Sequence, residues 1–166
     1  VLTMGPPDGE KYLRECIQMG AEEAYLVEGL EFKGSDTFAT SYALAEAIKS
    51  IGDYDIIFTG DQTMDGDTGQ VCPQMAERLG MNQVTYVSDI NYKDGEFEVK
   101  RKVSDGTETV SLKVPFVASA LKGSVNKPSK FALKRSKIAK EKEIHDITAK
   151  SLGLDLEKLG QKGSLT

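Results

Sequence analysis

The chain has 166 residues, 39% of them hydrophobic and 28% charged, with a net charge of −5. That length supports one domain with a core of its own, the acidic balance argues against a nucleic-acid-binding role, and no apolar run approaches a membrane span. Two cysteines without metal-ligand spacing, Cys16 and Cys72, and a lone histidine, His145, offer neither a zinc site nor a histidine-based triad, and fit a reducing cytoplasm.

In chain order, Val1–Met4 reads as a short strand, with no basic lead that would make it a secretory leader. A chain that starts on a buried strand is expected to lack an N-terminal strand and helix. Asp8–Met19 follows as a helix with Leu13, Cys16, Ile17 and Tyr12 inward, stopped by Gly20. Ala24–Val27 is the next strand. Ser35-Asp36 cap a helix through Ile51, where Phe38, Tyr42, Ala45 and Ile48 recur at helical spacing and further alanines permit close approach to a sheet. Asp55–Thr59 is a continuous apolar run of the kind buried on both faces of a parallel sheet. A glycine-rich loop, Gly60 to Asp67, leads into a helix ending at Leu79-Gly80, with Val71, Cys72, Met75, Ala76 and Leu79 inward.

After Met81 the period changes to two. Val84–Tyr92, Phe97–Val103 and Glu108–Val114 read as strands joined by turns at Lys93-Asp94-Gly95 and Ser104-Asp105-Gly106, and Pro115–Leu121 as one more. Beyond Lys122 the chain turns basic, a composition expected to bury little by itself and to wrap a partner or stay mobile. The alternation predicts an α/β fold with a doubly wound, mainly parallel sheet, an antiparallel excursion near residues 90–114, and an extended C-terminal arm. Ligands of such sheets bind beyond the carboxyl ends of the strands, which points to the loops Met4–Pro7 and Gly60–Val71.

The second loop carries the sharper signal. Gly60-Asp61-Gln62-Thr63-Met64-Asp65-Gly66-Asp67-Thr68-Gly69-Gln70-Val71-Cys72-Pro73 combines glycines that let a backbone turn and approach a ligand with a proline suited only to a first helical turn. The helix therefore starts near Thr68–Val71, and its unpaired amides and positive dipole end make an anion site, most naturally for a nucleotide phosphate. An acidic surface turn capped by Asp67 or Thr68 explains the same residues, and the aspartates also permit a metal.

Asp-Gly-Asp-Thr-Gly-Gln-Val with a following Pro, after a strand ending in Gly-x-Gln, resembles the nucleotide-binding signature of electron-transfer flavoprotein beta subunits. The resemblance continues in Val1-Leu2-Thr3-Met4-Gly5-Pro6-Pro7, Leu13-Arg14-Glu15-Cys16, Gly34-Ser35-Asp36-Thr37, Asn126-Lys127-Pro128 with Leu133, and Lys162-Gly163-Ser164-Leu165-Thr166. It implies a flavodoxin-like, adenine-nucleotide-binding sheet. Residues 1–121 would form the nucleotide-binding domain and 122–166 a partner-recognition loop and C-terminal arm. The implied nucleotide contacts are Met4, Gly5, Thr63, Gly66, Gly69, Gln70 and Val71: amides of the last three on phosphate, Met4 and Thr63 beside adenine. The implied ligand is AMP or a second FAD, with the transferring FAD held mostly by an alpha subunit. Leu133 would anchor an acyl-CoA-dehydrogenase-like partner, with the basic stretch from Lys122 to Lys142 available for steering. Asp61 and Cys72 depart from the family pattern, which favours a basic residue and a glycine there, and so does the basic Lys134-Arg135-Ser136-Lys137.

No nucleophile sits beside a base, so the residues favour an electron carrier over an enzyme, the electrons riding on a bound flavin. Two other readings share the architecture. An ATP- or AMP-binding regulatory module of the universal-stress type would need, after the Gly66/Gly69 pair, a glycine where Leu79 stands and Ser or Thr where Met81 follows Gly80. An adenylylating enzyme would need a Ser-Gly-Gly-x-Asp-Ser loop, which the chain lacks.

Overall fold

A computed structural model of the chain describes residues 1–52, 54–63, 66–123 and 132–165, the side chains of 132–134 excepted. In chain order the first half runs β1 (Leu2–Met4), α1 (Glu10–Met19), β2 (Tyr25–Val27), α2 (Thr37–Ile51), β3 (Ile56–Gly60) and α3 (Val71–Leu79). The second half runs β4 (Asn82–Lys93), β5 (Glu96–Val103), β6 (Gly106–Leu112), β7 (Phe116–Ala120), α4 (Ala132–Glu141), β8 (His145–Ile147) and α5 (Gly160–Gly163). The fold is α/β with mainly parallel sheets and an antiparallel excursion. The chain divides into two compact units, Val1–Ser50 with Lys127–Thr166, and Ile51–Asn126.

The first unit is built on a parallel three-stranded sheet, order β1-β2-β8. Side chains alternate across a strand, and β2 shows what each side meets. Val27 and Tyr25 join a core with Phe32, Ala43, Ala47, Ile147, Ala149 and Leu159. Leu26 joins another with Leu13, Ile17, Ala24 and Ala139. Thus α2 covers one face while α1 and α4 cover the other, the doubly wound arrangement. The face of α2 is made of small residues: Ala39, Ala43, Ala45 and Ala47 are fully buried, which lets the helix sit close to its neighbours. The inner face of α1 is narrower than its periodicity predicts. Leu13 and Ile17 are buried, but Cys16 is only half-buried and Tyr12 is exposed. Gly20 ends the helix in a left-handed conformation, its N–H donating to the Cys16 and Ile17 carbonyls.

The segment after residue 131 corrects the expectation that a basic tail buries little. Its apolar residues are few but placed on the cores of the first unit: Ala139, Ile147, Ala149 and Leu159 are all buried. The Arg14 guanidinium, tied to Glu10 by an ion pair, donates to the carbonyls of Ala139, Lys140 and Lys142. A cation on the last carbonyls of α4 complements the negative end of that helix. At the other end, Asp36 joins the start of α2 to the C-terminal residues. Its Oδ1 accepts from the Ala39 N–H at 2.9 Å and its Oδ2 from the Leu165 N–H at 2.7 Å, while its own N–H donates to Ser164 Oγ at 2.8 Å. Burial pushes the Asp36 carboxyl up, but the amides of Ala39, Leu165 and Phe38 with the Ser164 hydroxyl outweigh it and hold the group below its usual value.

The second unit carries a five-stranded sheet, order β3-β7-β4-β5-β6, parallel from β3 to β4 and antiparallel from β4 to β6. The β4–β5 hairpin turns on Asp94 and Gly95, at φ 54° and 89°; two positive φ values in a two-residue loop match the right-handed twist of the strands. Val84, Val87, Val99, Phe116 and Ala118 form the core on one face. The run at β3 was expected to be buried on both faces. It lies instead at the sheet edge, beside β7 only, and Phe58 is 55% exposed.

Candidate functional site

In the second unit, β3 ends at Gly60 beside the parallel β7, and the chain leaves the carboxyl end of the strand into the loop that precedes α3. Asp61 fixes the base of that loop. Its Oδ1 accepts from the Gln62 N–H at 2.8 Å and its Oδ2 from the Lys122 N–H at 3.1 Å, just past the end of β7. The Lys122 amide is the main reason the Asp61 carboxyl lies below the usual carboxylate range; burial opposes it, and the Gln62 amide and the Lys122 ammonium assist. A basic side chain could not accept these two amides.

Further along, the Gly66 N–H donates to Thr63 Oγ1 at 3.3 Å, the Asp67 N–H to the Thr63 carbonyl at 3.1 Å, and the Gln62 side-chain amide to the Asp67 carbonyl at 3.4 Å. Thr63 therefore shapes the loop. Asp67 and Gly69 both take the left-handed conformation, at φ 47° and 61°. At Gly69 the reason is steric as well as torsional. A Cβ there would lie 2.9 Å from the Tyr86 hydroxyl and 3.5 Å from the Asp61 carbonyl, so a side chain at this position would be strained and would have to displace the tyrosine.

Helix α3 starts at Val71 with Gln70 as its cap, and the Gln74 N–H makes the first intrahelical bond, to the Gln70 carbonyl at 3.1 Å. Pro73 falls in that first turn, where its missing N–H costs least. The amides before Gln74 must find partners outside the helix. Asp61 is turned toward the amides of Gln62 and Lys122 at the base of the same loop.

Cys72 lies in the same first turn, a position that ordinarily favours a thiolate. Burial decides the other way and pushes the thiol up, with hydrogen bonds to Thr59 and Ser119 offsetting only part. Cys72 and Cys16 are unpaired. Among the described residues no group of three or more histidines, cysteines or carboxylates is placed to hold a metal, and no helix is long and apolar enough to cross a membrane.

The predicted residues divide between the units. Thr63, Gly66, Gly69, Gln70 and Val71 are gathered in the loop and first turn of the second unit. Met4 and Gly5 belong to the first, at the carboxyl end of β1, where Met4 packs against the sheet core and the Gly5 N–H donates to the Val27 carbonyl at 3.0 Å. A Cβ on Gly5 would meet nothing within 4 Å. Leu133 falls in the first turn of α4, but its side chain lies outside the described residues, as do Asn126-Lys127-Pro128. A surface groove of about 460 Å³ along Tyr86, Arg101, Lys102, Val103 and Ser104 contains none of the residues expected to hold nucleotide. Tyr86, whose hydroxyl lies beside Gly69, is singled out by no spacing or motif.

Comparison with known proteins converges on one family. The electron transfer flavoprotein domain matches residues 1–152. The chain is 43% identical to an electron transfer flavoprotein subunit beta of Thermoanaerobacterium thermosaccharolyticum, over the whole chain and 64% of the relative. It is 40% identical to subunit CarD of the caffeyl-CoA reductase-Etf complex of Acetobacterium woodii, covering 63% of that protein. It is 39% identical to the acryloyl-CoA reductase electron transfer subunit gamma of Anaerotignum propionicum, over 99% of the chain and 64% of the relative. The chain thus spans a little under two thirds of these curated relatives.

Proposed function

Because the chain belongs to the electron transfer flavoprotein family, we propose that it serves as the beta subunit of an electron carrier, binding an adenine nucleotide, AMP or FAD, with Met4, Gly5, Thr63, Gly66, Gly69, Gln70 and Val71 as its contacts. The observation that carries this reading is the left-handed Gly69, closed off on its Cβ side by Tyr86 and followed at once by the start of α3. A tight glycine turn with helix-start amides beside it suits a phosphate. Gly69, Gln70 and Val71 donate their amides; Met4 and Thr63 border the adenine.

The subunit works with an alpha subunit that holds the transferring FAD, and the flavin supplies the redox chemistry when bound. The residues of this chain bind, orient and dock. The names of the caffeyl-CoA and acryloyl-CoA reductase relatives support a partner that acts on acyl-CoA substrates, such as an acyl-CoA dehydrogenase, with Leu133 as anchor. The two unpaired cysteines agree with work in the reducing cytoplasm. The test is to purify the protein with its alpha subunit, denature it, and identify the released ligand by mass and absorbance, with AMP and FAD titrated into stripped heterodimer. Release or stoichiometric binding of either nucleotide at this subunit is expected. A heterodimer that retains neither and binds neither refutes the proposal.

A further inference from the structure

The pairing of β4 with β7 contains one residue too many. Val84 faces Ala118 and Val87 faces Ala120, so three steps on β4 match two on β7. In an unbroken strand Tyr86 would share the face of Val84, because side chains repeat every second residue. Instead Val84 and Val87 both lie in the apolar core of the sheet. The extra residue has moved the parity by one and turned Tyr86 out of that core. The cost is visible: Tyr86 sits at φ 57°, a conformation that bulky aromatic residues avoid. It is held there by its own N–H, which donates at 3.0 Å to the Oγ of the buried Ser119. Bulges that re-aim a side chain and strained residues whose surroundings over-determine them concentrate at functional sites.

What the bulge delivers is a phenol hydroxyl against the glycine loop, 2.9 Å from the place a Cβ on Gly69 would take. We propose that Tyr86 is the positioning residue of the nucleotide loop: it backs Gly69, keeps it in the left-handed conformation, and so sets the direction of the Gly69, Gln70 and Val71 amides. The proposal rests on the reading of this loop as a nucleotide site. It assigns the phosphate-bearing part of AMP or FAD as the ligand moiety whose affinity Tyr86 controls, without touching it.

The experiment uses the intact heterodimer and the variants Tyr86→Phe, Tyr86→Asn and Gly69→Ala, singly and combined. Asparagine tolerates the left-handed conformation but provides no ring. Three quantities are read: hydrogen exchange of the 66–71 amides in stripped protein, affinity for AMP and FAD, and melting temperature. Tyr86→Asn is expected to speed exchange of the loop amides and weaken nucleotide binding by about tenfold each, with no fall in melting temperature because backbone strain is relieved. Tyr86→Phe removes the hydroxyl that lies against Gly69 and should shift exchange and affinity in the same direction as Tyr86→Asn but by less, and the loss caused by Gly69→Ala should shrink in the Tyr86→Phe background, where the colliding hydroxyl is gone. Unchanged loop exchange in Tyr86→Asn, or strictly additive effects of Gly69→Ala and Tyr86→Phe, overturns the proposal. So does a general fall in protection and melting temperature in Tyr86→Asn, which would assign the tyrosine to the fold alone. A wild-type heterodimer that binds neither AMP nor FAD sinks the nucleotide reading of the loop, while the exchange data still decide whether Tyr86 positions it.

Discussion

Replacing Gly69 by valine tests the loop most directly. The backbone there is at φ 61°, and holding a residue with a Cβ in that region costs about 1–2 kcal/mol; β-branching makes valine a worse guest still. The new Cβ would start 2.9 Å from the Tyr86 hydroxyl and 3.5 Å from the Asp61 carbonyl. The first is closer than carbon and oxygen tolerate, so Tyr86 or the loop must move. Either movement redirects the amides that are to hold phosphate. Nucleotide affinity should therefore fall at least about tenfold, or roughly 1.4 kcal/mol, by calorimetric titration of the intact heterodimer. Gly66→Ala is the matched control. Gly66 is not left-handed, and a Cβ there would lie an ordinary 3.4 Å from Thr63 Oγ1. The protein itself accepts that alanine, so any affinity lost at Gly66 reports how closely the ligand approaches. A folded Gly69→Val heterodimer with wild-type affinity would refute the reasoning.

Asp36→Ala removes the cap of α2 and the acceptor of the Leu165 amide; denaturant titration should show a loss of about 1–2 kcal/mol, and proteolysis should clip the C-terminal residues sooner. Acid should act on the same contacts: Asp36 and Asp61 both have folded values below the ordinary one, so their stabilisation is complete above the unfolded value of about 3.9 and is lost as pH falls through the folded values. Urea midpoints should decline below about pH 4, less steeply in Asp36→Ala and Asp61→Asn, and an equal decline in the variants would show that other groups are responsible. Leu133→Ala, if the leucine anchors a dehydrogenase, should weaken docking by about 2 kcal/mol and slow stopped-flow reduction of the flavin, with flavin content and melting temperature unchanged.

The parts of this fold that were legible in the sequence are those set by local chemistry. Gly20, Asp36 and Pro73 mark helix ends because each acts on backbone groups within a turn of itself, and Asp94-Gly95 marks a hairpin because only certain residues accept two positive φ values. The glycine loop was legible for the same reason. What escaped reading depends on partners far along the chain. Phe58 looks like a core residue in an unbroken apolar run, and only the strand order leaves it at an edge. Ala139, Ile147 and Leu159 are too sparse to announce a core, yet each completes one begun before residue 50. Tyr86 sits in a strand that the period-two pattern identifies, but the bulge that turns it toward Gly69 arises from pairing with β7, and nothing next to it in the sequence encodes that pairing.

The division of the chain also sets an order of events during synthesis. The unit from Ile51 to Asn126 is continuous in sequence, whereas the other is interrupted, with Val1–Ser50 waiting for Lys127–Thr166. Its sheet gains its third strand only at His145–Ile147, and the Asp36 cap is finished only when Ser164 and Leu165 arrive. Domains made from the N-terminus onward fold as their parts emerge, so the continuous unit can close while the first still exposes the β2 edge and the apolar faces of α1 and α2. During that interval the β2 edge is open to mispairing. A ribosome paused before residue 145 would hold it there, available to chaperones and to neighbouring chains.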